Sequence, residues 1–476
     1  MCMIKTYDQA KAFLEQFIPT PQTAHIDMQL VRIEKLCSLL GNPHTKYPII
    51  HVAGTSGKGS TATFAATILK EAGLKVGLHT SPHLELVTER MQINSHPIPI
   101  PQFISLLNEY ISIYQDIDTK SNLGNPSYFE ILVALSFAHF AKEQVDAAVI
   151  EVGLGGKLDA TNVITSSVAI LTNISLDHTN ILGKTVYSIL KDKMGIIKKG
   201  APAVVSSITQ PKLQKILIKH CRKLKVPLHL LNKDFPLRKE RLSLPGEFQL
   251  QNFSLAVKAC ELFIKKYFPA KMKLHGLTPV ASSVSSASEI RRSNNPPSPR
   301  LRRVIRIHPR FYTRGLLRRR IKSLPLAYKK AARSTFIPGR LEIIQRNPLI
   351  ILDGAHNKAK MSALVSSIKK IYPNQHFITV IAVKQGKPAK TLIKLLEPIT
   401  AYFVCTSFSM PTDTGLMTSN QASFLASLTL KPTSVKNDSL RALVQAVNLG
   451  RKENLPILIT GSLYLVGELR VRAQSL

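Results

Sequence analysis

The sequence predicts an α/β protein built on a mostly parallel sheet, and three observations carry that prediction. Apolar runs of strand length alternate with helical patterns along the chain. A glycine turn with a single lysine, in H-V-A-G-T-S-G-K-G-S, joins the first such run to an alanine-rich helical pattern that stops at Gly73. Four of the strand patterns end in unusual polar residues, and ligands of parallel sheets bind outside those carboxyl ends.

Composition bounds the possibilities. The chain has 476 residues, 44% of them hydrophobic and 20% charged, which suits a folded protein of two or three domains. Apolar runs stay short of the roughly 18 residues a membrane span needs, and M-C-M-I-K-T-Y-D-Q-A-K lacks a basic-then-apolar leader. Cys2, Cys37, Cys221, Cys260 and Cys405 are scattered without C-x-x-C spacing, which fits free thiols in the reducing cytoplasm. The net charge is +35, yet 15 Lys and Arg with no Asp or Glu lie between Arg291 and Arg333 alone. Such an excess favours anionic ligands without naming one.

In order, residues 1–47 read as helices with polar breaks, Leu30, Ile33, Leu36, Leu39 and Leu40 recurring at helical spacing before Gly41-Asn42-Pro43. The strand Pro48 to Ala53 then enters the glycine turn. Gly54, Gly57 and Gly59 let backbone N–H groups approach an anion, Lys58 adds a point charge, and a helix starting near Ser60 aims its positive end there. The loop departs from the strict G-x-x-x-x-G-K-[ST] spacing, because Val52 stands at the first glycine position and Gly59 follows the lysine. A strand from Lys75 to His79 leads to Ser81 and His83, a helix from Gln102 to Tyr114 follows, and S-Y-F-E-I-L-V-A-L-S-F-A-H-F-A predicts a longer helix. The strand Val145 to Val152 contains Glu151 near its end, the strand Ser167 to Ile174 leads to Asp177 and His178, and another strand begins at Ala201. Each of these polar residues alone suits a cap or a turn. Together on one sheet edge, a carboxylate opposite a phosphate loop is what a magnesium nucleotide needs, since Mg²⁺ takes oxygen ligands and bridges phosphates.

At these residues the chain resembles the bacterial folylpolyglutamate synthase/dihydrofolate synthase family, a branch of the Mur-type ATP-dependent ligases. The resemblance rests on H-V-A-G-T-S-G-K-G-S, H-T-S-P-H-L, Y-F-E-I-L-V-A-L-S-F, E-V-G-L-G-G-K-L-D-A-T-N, L-D-H-T, K-M-G-I-I-K, P-G-R-L-E, L-D-G-A-H-N and G-S-L-Y-L-V-G-E, in family order over about 1–270 and 335–476. It implies an N-terminal P-loop ATPase domain with a mostly parallel sheet and a smaller C-terminal Rossmann-like α/β domain, at 1–337 and 338–476. It also implies a reaction: a dihydropteroate or folate carboxylate takes the γ-phosphoryl group of ATP, and L-glutamate displaces phosphate from the acyl phosphate. By the same resemblance Gly57, Lys58, Gly59 and Ser60 hold the ATP phosphates, and Ser81, Glu151 and His178 ligate Mg²⁺. Lys193 occupies the position of a carbamylated lysine. Lys58, His178 and Lys193 are the expected catalytic residues. Asn252, Arg340 and Asp353 reach the nucleotide, while Tyr128, Phe129 and Glu130 with Leu158, Asp159 and Ala160 line the pterin site. From the residues alone, Tyr128 and Phe129 read as the core-facing start of a helix.

Pro338-Gly339 reads as a hinge, after which the α/β pattern resumes with strands at Pro348 to Leu352, F-I-T-V-I-A-V and P-I-L-I-T and a helix from Ala359. Closure there would exclude water from the acyl phosphate. The chain departs from the family pattern at Lys157 in place of Arg, Phe248 in place of His, Lys358 in place of Pro, and in V-K-Q-G-K-P-A-K, which lacks an acidic pair. The basic, low-complexity stretch of about 275–322 has no family counterpart and reads as a solvated surface insertion. The expectation is therefore a monomeric ligase that needs neither membrane nor nucleic acid. Its alternatives are a Mur-type ligase for another acid and amino acid, and a nucleic-acid-binding protein using the arginine-rich insertion.

Overall fold

The computed structural model describes residues 3–18, 29–118, 124–208, 210–269, 323–412 and 415–474. The insertion at about 275–322 lies outside the described residues, as does Cys2; the other four cysteines are free and buried.

Among the described residues, the first sheet contains β1 (Ile49–Ala53), β2 (Val76–His79), β3 (Met91–Ile93), β4 (His96–Pro97), β5 (Ala147–Glu151), β6 (Val168–Leu171), β7 (Ala203–Val205) and β8 (Leu228–Leu230). Their spatial order is β4-β3-β2-β5-β1-β6-β7-β8, parallel except where β3 and β4 run antiparallel at one edge. The four strands whose ends carry the polar residues, β2, β5, β1 and β6, are therefore consecutive neighbours. Both faces of this sheet are covered, which is why its central strands are apolar throughout rather than alternating. Ile49, Ala148 and Ile150 join the core under the helix Tyr128–Lys142, while Ile50, Val52, Ala147 and Val149 join the core under the helices Lys58–Glu71 and Phe248–Tyr267.

The second sheet contains β9 (Glu342–Arg346), β10 (Leu349–Asp353), β11 (Phe377–Ile381), β12 (Thr400–Cys405), β15 (Thr433–Val435) and β16 (Ile457–Thr460), and β13 (Ser409–Thr412) with β14 (Gly415–Thr418) form a separate hairpin. The order is β15-β12-β11-β16-β10-β9, with only β9 antiparallel to its neighbour. Arg470 ties the two sheets together: it donates to Glu342 at 2.8 and 3.0 Å and to Glu85 at 2.6 Å. Glu342 in turn accepts from the backbone N–H of Gly339, the expected hinge, at 2.7 Å.

Two local expectations differ from the structure. The phosphate-loop helix starts at Lys58 rather than near Ser60, because Gly57 takes a left-handed conformation (φ 82°) that begins the helix at once. The helix Leu30–Leu39 buries Ile33, Leu36 and Cys37 but leaves Leu39 exposed, because the apolar spacing covers more of the helix than the core accepts.

Candidate active site

The phosphate loop is held by the segment after β6. Thr55 N–H donates to Asn173 O at 2.9 Å, Ser56 N–H donates to Asn173 Oδ1 at 2.6 Å, and Thr172 Oγ1 donates to Ser56 O at 2.7 Å. These contacts close the loop before the helix Lys58–Glu71, whose first N–H groups face the open end. Side chains from elsewhere press on the glycines. A Cβ at Gly57 would stand 2.4 Å from Asn252 Oδ1, and one at Gly59 would stand 3.3 Å from Glu151 Oε2. The buried end of β5 thus lies against the loop at Gly59. Asn252 also donates to Gln249 Oε1 at 2.8 Å, and Gln249 reaches Ser60 Oγ at 3.4 Å, so the helix Phe248–Tyr267 is keyed to the phosphate loop.

Lys58, His178 and Lys193 line one cleft with Gly54, Gly155 and Asp177. Glycines let its walls meet: a Cβ at Gly156 would stand 2.9 Å from the Lys193 Cα, so E-V-G-L-G-G and K-D-K-M-G are in backbone contact. Lys193 is buried, and its ammonium donates to Gly155 O at 3.3 Å. Burial, and after it the Lys58 charge, pulls Lys193 down from 10.5 to about 7. His178 adopts a left-handed conformation (φ 48°), and burial with nearby lysines pulls its imidazole down to about 4 against the opposing Asp177. Its ring is neutral at neutral pH and has a lone pair to offer. Glu151 is buried, accepts the Ser81 N–H at 3.1 Å, and is pushed up by burial against the opposing pull of Lys58, Ser81 N–H and Arg340.

Among the described residues, no group of three or more His, Cys, Asp or Glu is placed to hold a metal ion. The Ser81, Glu151 and His178 set has a hydroxyl, a carboxylate and a neutral imidazole, and Glu151 has no ion-pair partner among the described residues. That donor chemistry fits a hard divalent cation that draws its remaining ligands from phosphate oxygens and water.

From the second sheet, Asp353 at the end of β10 accepts from Leu341 N–H at 3.0 Å and Ala355 N–H at 2.9 Å, which fixes the turn after Arg340. The Arg340 charge lies close enough to draw the buried Asp353 carboxyl down, although burial pushes it up overall. Lys387 crosses between the sheets to Asp177 at 3.0 Å. Burial raises the Asp177 carboxyl, but Lys387, His178 and Lys360 together bring it to about 2. Lys387 and Lys360 were not legible as site residues. The signals were lysines placed just past the β11 and β10 strand ends in K-Q-G-K-P and A-H-N-K-A-K.

The pterin-side residues divide. Tyr128 is buried under the Arg90 guanidinium (5.6 Å from its ring centroid), and Phe129 packs on Gly153 and on His79 (6.1 Å between ring centroids). Glu130 closes a capping box with Ser127 (2.7 Å) and pairs with Arg32 (3.1 Å), both through Oε2, so one of its two carboxylate oxygens is engaged at the helix start. Asp159 accepts from Leu154 N–H (2.8 Å) and Thr161 N–H (3.0 Å), Ala160 is buried, and Leu158 is exposed. Thr161 also meets the buried His51 at 2.9 Å, so the L-D-A-T-N turn is fastened to β1.

Comparison with known proteins gives a consistent picture. Residues 52–234 match the Mur ligase middle domain, and residues 340–473 match the dihydrofolate synthetase C-terminal domain. The chain is 31% identical to the Bacillus subtilis dihydrofolate synthase/folylpolyglutamate synthase, with 93% of this chain and 94% of that protein aligned. It is also 31% identical to the Lacticaseibacillus casei folylpolyglutamate synthase, over 92% of this chain and 93% of the other. Among solved structures, the Mycobacterium tuberculosis folylpolyglutamate synthase complexed with ADP superposes with a TM-score of 0.78 at 26% identity, over 98% of both chains.

Proposed function

The chain belongs to the dihydrofolate synthase/folylpolyglutamate synthase family of Mur-type ligases, and from that premise we propose how its own residues carry the reaction. It is an ATP-dependent ligase that adds L-glutamate to dihydropteroate, to the glutamate tail of folates, or to both. A carboxylate oxygen of the pterin acid attacks the γ-phosphorus of ATP, the bond to ADP breaks, and an acyl phosphate forms. The amine of glutamate then attacks the acyl carbon, phosphate leaves with the former C–O bonding pair, and the nitrogen releases a proton. Little covalent chemistry falls to the protein, which must position the reactants and neutralise charge.

The observation that carries the residue assignments is the meeting of Lys58, His178 and Lys193 in one cleft beside the buried Glu151. Gly57, Lys58, Gly59 and Ser60 cradle the phosphates, Asn252 faces the same loop, and Arg340 and Asp353 reach the nucleotide from the second sheet. Ser81, Glu151 and His178 would hold Mg²⁺, which when bound offsets negative charge on the phosphates. With a pKa of about 7, Lys193 is neutral often enough for its nitrogen to bond to the carbon of CO₂ and release a proton to solvent, which leaves a carboxylate-like carbamate. Tyr128, Phe129 and Glu130 with Leu158, Asp159 and Ala160 form the pterin side, Glu130 also capping the helix start. The domain division is 1–337 and 338–476, joined at Pro338-Gly339. Among the described residues, no helix is long and apolar enough to cross a membrane; the reading is a cytoplasmic monomer.

The test is ADP formation by the purified chain with ATP, Mg²⁺ and glutamate, adding dihydropteroate or tetrahydrofolate separately. Turnover that depends on one of these acids, and is lost in Lys193→Ala, supports the reading and identifies the preferred acid. Absence of turnover with both would remove the folate assignment.

A further inference from the structure

We propose that Lys360 binds the phosphoryl group in transit, as the terminal phosphate of ATP and then as the acyl phosphate; this rests on the ligase reading above. Lys360 lies in the first turn of the helix Lys358–Ile371, directly after the β10 end that carries Asp353. Its backbone N–H donates to Asn357 Oδ1 at 2.9 Å, and its ammonium stands 3.0 Å from His356 Nε2. The other ring nitrogen of His356 donates to Gly354 O at 2.8 Å, and burial holds this imidazole neutral, so Nε2 is the acceptor that aims the ammonium.

Without a ligand this is a poor place for a lysine. The first turn of a helix disfavours a cation. Burial, then Arg340 and Lys58, pulls Lys360 down from 10.5 to about 7, with Lys387 adding to the same effect. Among the described residues its side-chain hydrogen-bond partner is an imidazole nitrogen rather than a carboxylate, and it forms no ion pair. Cations gathered this way are stabilised when an anion arrives between them.

The identity of that anion follows from what surrounds Lys360. His356 ties Lys360 to Gly354, where a Cβ would stand 3.3 Å from Arg340 Nη1, and past the end of β11 Lys387 reaches Asp177 of the Lys58 cleft at 3.0 Å. Lys360 accordingly acts by its charge on Glu151, Asp177 and Asp353. It thus stands among the phosphate-loop lysine, the hinge arginine and the carboxylate expected to face the metal. The group that must sit there is the one leaving ADP, whose charge spreads over three oxygens during transfer. A lysine serves that group as a movable point charge, without requiring the fixed fork of an arginine. Lys360 is therefore a phosphate-binding residue supplied by the second sheet, so the phosphate site is complete only when both sheets face it.

The experiment compares ADP with the non-hydrolysable ATP analogue AMPPCP, each with Mg²⁺, by calorimetric titration of the full chain and of Lys360→Met and Lys360→Arg. Lys360→Met should weaken AMPPCP about tenfold while leaving ADP within about twofold, since only AMPPCP carries the terminal phosphate. Lys360→Arg, which keeps the charge, should recover most of the AMPPCP affinity. Lys360→Met should also melt no lower than the parent chain, because it relieves cation repulsion. Equal weakening of both nucleotides with a lower melting temperature would overturn the proposal, leaving Lys360 a structural residue. Unchanged AMPPCP affinity in the Met variant would overturn it as well. Neither titration needs a pterin: a chain without pterin-dependent turnover that still separates the two nucleotides through Lys360 would sink the folate reading and support this one.

Discussion

The two sheets face the same cleft with opposite chemistry. The first sheet brings carboxylates to it, Glu151 from β5 and Asp177 after β6, around the single loop lysine Lys58 and the buried Lys193. The second sheet and its hinge bring mostly cations: Arg340, Lys360 after β10, and Lys384 and Lys387 after β11. Carboxylates on one side suit a cation, and the cations on the other suit an anion. One contact between them at the cleft, Lys387 to Asp177, joins one of each. On the proposed reading, the first side would hold the nucleotide and the basic side would meet the transferred phosphoryl group.

The largest test of this division removes the buried amine on the first side. Lys193→Ala should lower the pterin-dependent kcat by about 10²- to 10³-fold, as loss of a preorganised charged group does, with nucleotide affinity much less affected. Steady-state kinetics with nucleotide titration checks this, and a parallel loss of AMPPCP affinity would move Lys193 to a binding role.

The next test strikes the joint. Arg470→Met leaves Glu342 and Glu85 buried or half-buried without their partner, and should cost about 2 kcal/mol in urea unfolding. A cost near zero would mean the sheets hold their arrangement without it. A smaller effect is expected at the cleft. Lys387→Met and Asp177→Asn should each reduce kcat/KM by about tenfold, and the double variant should be little worse than either, because both break one contact. Additive losses would show that the two sides act separately.

Stability should also depend on pH in a sense set by the buried cations. Lys193 and Lys360 are held near about 7 in the folded chain against an ordinary 10.5. Between those values the unfolded chain binds more protons, so stability rises as pH rises from about 7 to about 10.5. Lys360→Met should flatten part of that rise in denaturant melts at a series of pH values. The smallest effect is expected at the exposed pair Lys370–Glu247, which also spans the two sheets: Lys370→Ala should leave the urea unfolding midpoint unchanged.

Much of this architecture was legible in the chain. Strand-length apolar runs, the glycine turn with Lys58 and the resumption of the pattern after Pro338-Gly339 pointed to two α/β units, and the strands appear where those runs lie. The polar residues at Ser81, Glu151, Asp177 and His178 stood out because buried parallel strands rarely end in such groups. Less legible were residues whose role depends on a partner far along the chain. Glu130 reads from the sequence as a ligand for a flat ring, and only the fold shows that its Oε2 also meets Ser127 and Arg32. Lys387 lies in a segment that departs from the family pattern and Lys360 draws no reading at all, and only their placement against Arg340, Lys58 and Asp177 gives them meaning.

The sequence by itself determined the alternation of strand and helix, the phosphate loop and the chemistry carried at each strand end, because these are set by neighbours within a few residues. The tertiary structure decided which ends share an edge, through the order β2-β5-β1-β6, and which side chains face each other across the cleft. It also decided protonation. Burial together with nearby cations draws Lys193 and Lys360 to about 7, while Lys387, His178 and Lys360 hold Asp177 at about 2 against the opposite push of burial, and neither burial nor those neighbours exists until the chain has folded.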